Sequence, residues 1–165
     1  MATTRYAIAL GSNRPGRHGR PEAELAAALA ALGAVRAVSP VLRTAPLGPS
    51  RRRFVNAVAI VETDEAPDAL LERLKAIERA FGRRRGRNWA ARVIDLDIVL
   101  WSEGAWNSRR LTVPHILFRK RNFVLDPLRA VAADWRDPVT GLTIRQLAAR
   151  LGKRAGPVDR SRRHA

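Results

Sequence analysis

Ile94-Asp95-Leu96-Asp97-Ile98-Val99-Leu100 reads as a β-strand with two unlike faces. Alternation with period two puts Asp95 and Asp97 on one side and Ile94, Leu96, Ile98 and Leu100 on the other. The apolar side needs a layer to cover it, and the segments upstream supply one. Residues 6–10 and 54–61 are β-prone, as is 35–43 up to Thr44-Ala45-Pro46-Leu47-Gly48-Pro49, where two prolines forbid further ladder bonds. Between them lie two helical patterns. One opens at Pro21-Glu22, repeats Leu25, Leu29 and Leu32, and stops at Gly33. The other opens at Pro67-Asp68, repeats Leu70, Leu71, Leu74, Ile77 and Phe81, and stops at Gly82.

With the fourth strand over 92–101, the order is β-α-β-β-α-β. This predicts an α+β, ferredoxin-like sandwich with helices on one face of a mostly antiparallel sheet. Extra C-terminal helices are expected over 121–133 and 143–151 after a hairpin-like stretch. Gly11-Ser12-Asn13 reads as a turn, and 13–21, polar and rich in Gly and Arg, as a mobile loop. Residues 1–152 read as one domain and 153–165 as a basic, frayed tail.

Composition narrows the function classes. The absence of cysteine excludes disulfides, zinc-thiolate sites and thiol catalysis. No apolar run is long enough to span a bilayer and no signal peptide is evident, so a cytoplasmic protein without membrane contact is expected. A formal charge of +16 suits either nucleic acid or a polyphosphate ligand.

The position of the charge favours the polyphosphate. Asp95 and Asp97 repel each other unless a cation neutralises them, and magnesium takes such oxygen donors together with substrate phosphates. Taken alone, the pair also suits an exposed strand face with solvated acids. However, Arg83, Arg84, Arg85, Arg87 and Arg92 precede it, with Trp89 among them, and Arg119, Lys120 and Arg121 cluster near His115. Guanidinium forks beside metal-binding carboxylates are what phosphoryl transfer requires. No Walker loop or kinase lysine motif is present, so side chains on loops would have to hold the phosphates. His18 and His164 lie in polar segments and receive no role.

Several stretches together resemble the 6-hydroxymethyl-7,8-dihydropterin pyrophosphokinase family. They are Ala9-Leu10-Gly11-Ser12-Asn13, residues 43–49, Phe54-Val55-Asn56-Ala57, Gly82-Arg83-x-Arg85, Trp89-x-x-Arg92-x-x-Asp95-Leu96-Asp97-Ile98, and Leu111-Thr112-Val113-Pro114-His115 followed by Arg121 and Phe123. The resemblance runs in the family's order from about residue 5 to about 150. It departs from the pattern at Ala45, Ala90-Ala91 and Ile116.

It implies pyrophosphate transfer from ATP to the pterin with release of AMP, a step in folate biosynthesis. Two Mg²⁺ ions would sit on Asp95 and Asp97, with Arg83 and Arg92 as catalytic partners. Glu78, Arg85, Trp89, Ile98, Thr112, His115 and Arg121 would bind ATP. Thr44, Leu47, Phe54, Asn56 and Phe123 would bind the pterin. A monomer is expected and nucleic acid is disfavoured as a partner. Two rival readings stay open: a basic RNA-binding module on the same scaffold, and a metal-dependent nucleotidyl transferase with a palm-like sheet. The first lacks an aromatic recognition strand, and the second would release pyrophosphate instead of AMP.

Overall fold

Strand Thr4–Ser12 (β1) lies between strands Phe54–Thr63 (β4) and Asp95–Trp101 (β5). The short strands Val35–Val38 (β2) and Leu42–Thr44 (β3) both pair with the far side of β4, and every pairing is antiparallel. The sheet order β2-β4-β1-β5 is that of two interleaved β-α-β halves, the ferredoxin-like arrangement expected from the sequence. The structure is a computed structural model and describes residues 2–44, 53–82 and 93–154.

Helices Pro21–Leu32 (α1) and Pro67–Ala80 (α2) each begin on a proline, whose missing N–H costs nothing in a first turn. Gly33 and Gly82 follow them at φ of 62° and 113°, where a side chain would be strained. Both helices cover one face of the sheet. Leu25, Ala28, Leu70 and Leu74 pack there on Tyr6, Ile8, Leu10, Ala57 and Leu96.

Helices do not keep to that face. Helix Asn122–Ala132 (α3) and helix Ile144–Arg154 (α4) lie on the other, burying Val124, Leu125, Leu128, Ile144 and Leu147 against Ala7, Val58, Val99 and Leu100. The extra C-terminal helices thus form a second layer, because both faces of the central strands are apolar: Ala7 and Val58 are as buried as Ile8 and Ala59. Trp106–Asn107 (β6) and Thr112–Val113 (β7) form the hairpin before α3.

Three local features differ from expectation. First, β1 continues through Gly11 and Ser12, which pair with Asn56 and Val55 instead of turning. Second, the expected strand 35–43 is broken at Ser39-Pro40. There the Ser39 N–H donates to the Val58 carbonyl and the Ser39 hydroxyl accepts from the Val58 N–H, while Pro40 has no N–H to offer. Third, Leu100 does not share a face with Ile98. A bulge at Val99 puts Ile98 opposite Ile8 but Leu100 opposite Ala7, so Val99 and Leu100 both join the α3 side. Within the segment 13–21, Gly16 and Gly19 exchange backbone hydrogen bonds of 3.0 and 3.1 Å. The last helix, expected over 143–151, reaches Arg154; residues 155–165 lie outside the described residues.

Candidate active site

One row of cross-strand neighbours builds the floor of the site. Leu42 lies opposite Asn56, Asn56 opposite Gly11, and Gly11 opposite Asp95. In the adjoining rows Thr44 pairs with Phe54, and Ala9 with Asp97. All these side chains point to the α3 side of the sheet, but α3 begins only at Asn122 and leaves this end uncovered. The result is a cleft of about 400 Å³, lined by Thr44, Phe54, Asn56, Asp95, Asp97, Arg121 and Phe123, with Ala9 and Gly11 in its floor.

Small residues make the floor flat. A Cβ on Gly11 would stand 3.0 Å from Asn56 Oδ1 and would crowd the amide that lines the cleft. This role was missed from sequence, although a glycine inside a strand-like run signals close approach of another group. Phe54 and Phe123 supply aromatic walls, and the Arg121 guanidinium lies 5.5 Å from the Phe123 ring centre. Asp95 is half-buried and Asp97 exposed. Among the described residues no group of three or more His, Cys, Asp or Glu side chains could hold a metal ion. Two carboxylates on one side of a cleft are a donor set to which magnesium would add water and phosphate oxygens, the usual mode for that ion.

His115 stands beside this cleft. Its N–H donates to the Val99 carbonyl (3.0 Å), and its Nδ1 accepts from the Leu117 N–H (3.2 Å), so Nε2 carries the proton. Burial lowers the His115 pKa, the Asp97 charge pulls it back up, and Arg121 adds to the lowering. The net lowering favours the neutral ring. Four residues on, Arg119 makes a two-pronged bond of 2.6 and 2.8 Å to the fully buried Asp137, which ties this turn to the loop before α4.

The remaining residues fall elsewhere. Ile98 faces α1 and α2 and is 2% exposed. Thr112 lines a separate cavity of about 400 Å³ with Trp106, Asn107, Val113, Pro114 and Ile116. Glu78 is half-buried on α2, in the opposite layer. Leu47, Arg83, Arg85, Trp89 and Arg92 lie outside the described residues. No described helix is long and apolar enough to cross a membrane.

The model of the 7,8-dihydro-6-hydroxymethylpterin-pyrophosphokinase (HPPK) family matches residues 7–133. The 2-amino-4-hydroxy-6-hydroxymethyldihydropteridine pyrophosphokinase of Pseudomonas aeruginosa is 43% identical over 140 residues, 81% of this chain and 84% of that protein. The protein of the same name from Methylorubrum extorquens is 39% identical over 154 residues, 90% and 94% of the two chains. Among solved structures, Plasmodium falciparum HPPK-DHPS superposes with a TM-score of 0.74 at 15% identity, a likeness of fold. The match covers 92% of this chain and 42% of that longer one, so the chain spans under half its length.

Proposed function

This chain belongs to the 7,8-dihydro-6-hydroxymethylpterin-pyrophosphokinase family, and from that premise we propose how its own residues carry the reaction. The activity is transfer of pyrophosphate to 6-hydroxymethyl-7,8-dihydropterin, a step in folate biosynthesis. The observation that carries the reading is a juxtaposition: two carboxylates and an amide-bearing, aromatic-walled recess open into the same cleft.

In this reading the flat pterin lies on Gly11 between Phe54 and Phe123. The Asn56 amide, which offers both donor and acceptor, reads the ring edge, and Thr44 and Leu47 close the side. ATP lies toward the outer edge of β5, with its base and ribose near Thr112, Glu78 and the backbone at Ile98. The neutral His115 Nε2–H, Arg121, Arg83, Arg85 and Arg92 donate to phosphate oxygens, and Trp89 packs on the nucleotide. Asp95 and Asp97 hold magnesium, two ions in all. When bound, the metal neutralises phosphate charge and orients the chain of phosphates.

The pterin hydroxymethyl oxygen attacks the β-phosphorus and gives up its proton to solvent, the bond between that phosphorus and the oxygen bridging to the α-phosphate breaks, and AMP leaves with that oxygen. The protein contributes position and fixed donors, since phosphoryl transfer needs little covalent help. The reading places this reaction in one domain, residues 1–152, of a cytoplasmic monomer. Incubation with ATP, Mg²⁺ and hydroxymethyldihydropterin is expected to yield AMP and the pterin diphosphate. Release of inorganic pyrophosphate instead would mark a nucleotidyl transferase, and no turnover would overturn the reading.

A further inference from the structure

His18, at the tip of the first loop, makes contacts that none of the roles above requires. Its backbone N–H donates to Glu24 Oε1 at 2.7 Å and its ring Nδ1 lies 2.8 Å from Glu24 Oε2. The Glu24 side chain is 0% exposed, whereas His18 keeps 32% of its own side chain in solvent. The imidazole also lies against Phe81, with ring centres 4.7 Å apart. A carboxylate so buried needs donors, and His18 supplies two of them from one residue.

The same knot reaches the start of β5. Gly16, in the turn that carries His18, lies so close to Glu24 and Val93 that a Cβ there would come within 2.7 Å of both. The buried Ser12 hydroxyl donates to the Val93 carbonyl at 2.6 Å. Val93 also borders Gly82, at 3.6 Å from that glycine's ideal Cβ position. Two residues after Val93 the chain presents Asp95 to the cleft.

We propose that His18 is a positioning residue for the reaction. By holding Glu24 and Phe81 it fixes Val93, and through Val93 the entry of β5 that sets Asp95. The proposal rests on the reading that Asp95 serves the nucleotide and its metal. It accounts for a polar, solvent-reaching histidine being fastened to a fully buried acid at the root of the strand that carries the chemistry.

The test compares wild-type protein with His18→Ala and His18→Asn, because asparagine presents an N–H where Nδ1 stood. Expected for His18→Ala is a rise in the KM for MgATP, or a fall in kcat, of about 10-fold, the scale of a sub-ångström misplacement. Pterin affinity without nucleotide, read by calorimetry, should stay at the wild-type value, and His18→Asn should restore most of the loss. Amide hydrogen exchange at residues 93–95 should quicken about 10-fold in His18→Ala, with the β1–β4 ladder unchanged. Wild-type MgATP kinetics and exchange in a folded His18→Ala protein would overturn the proposal, even if its Tm falls. Should His18→Ala not fold, His18→Asn and His18→Gln decide it: equal values for the two overturn it. A wild-type chain that releases no AMP overturns the functional reading beneath, and the exchange comparison then still decides whether His18 fixes this entry.

Discussion

The two faces of the sheet are built from the same strands and do different work. Toward α1 and α2, Ile94, Leu96, Ile98, Val55 and Ala57 are 0–3% exposed and packed on helix leucines. Toward α3, the residues between them are Asp95, Asp97, Phe54 and Asn56, and they line a cleft. The strand pleat alone separates the two sets, so core side chains and cleft side chains alternate residue by residue. What distinguishes the faces is coverage: α1 and α2 cap one completely, whereas α3 starts too late to cap the other.

The sharpest way to break this comparison is to change neighbours in β5. Asp95→Ala or Asp97→Ala should cut turnover by about 10³-fold or more, the scale of lost metal and electrostatic assistance, with Tm unchanged or raised. Near-normal turnover in either variant would mean that the α3 face is not the working face. Leu96→Ala, between them, should do the reverse. It should cost about 2–5 kcal/mol of stability, as large-to-small core changes do, while activity per folded molecule persists below the melting point. Denaturant titration alongside initial rates reads both quantities.

Phe123 tests the edge of the cleft. Phe123→Ala should weaken pterin binding by about 1–3 kcal/mol, the value of a lost stacking surface, and ATP binding much less. Equal losses in calorimetry would reduce Phe123 to a member of the second core. A smaller effect concerns how the outer layer of the α3 face is fastened. Burial of Asp137 alone would raise its pKa, but the Arg119 fork, the Val139 N–H and the Thr140 hydroxyl outweigh it and bring the carboxyl down to about 2. An unfolded aspartate titrates at about 3.9. The carboxylate therefore stabilises the fold fully above that value, and this support is lost as pH falls from about 4 toward about 2. Because Arg119 is partly exposed, the contribution is on the order of 1–2 kcal/mol. Asp137→Asn should remove that much of the acid-induced loss, measured by urea unfolding between these pH values.

Much of the site was legible in the sequence because it follows local rules. Alternation alone put Asp95 and Asp97 together, and the prolines and glycines marked the ends of α1 and α2. Thr44, Phe54, Asn56 and Phe123, which the family resemblance grouped around the pterin, line one cleft together with Arg121, which it assigned to ATP. What escaped depends on contacts distant in sequence. Gly11 reads as a turn until Asn56 and Asp95 flank it. His18 looks like loop surface because its partners Glu24 and Phe81 come from two different helical segments. Nothing in Ile98-Val99-Leu100 marks a bulge, since three consecutive apolar residues suit either phase.

That bulge gives β5 a spare residue. Were Val99 deleted, Ile98 and Leu100 would stand next to each other opposite Ile8 and Ala7, and the ladder would run without interruption. The hydrogen-bond pairing would survive the deletion. What would go is the carbonyl on which His115 rests its N–H, and with it the mooring of the turn that aims the imidazole. A copying slip of one codon at this point would thus leave the sheet pairing in place while taking away the residue whose carbonyl anchors His115. The strand is tolerant of length as architecture and intolerant of it as a tool.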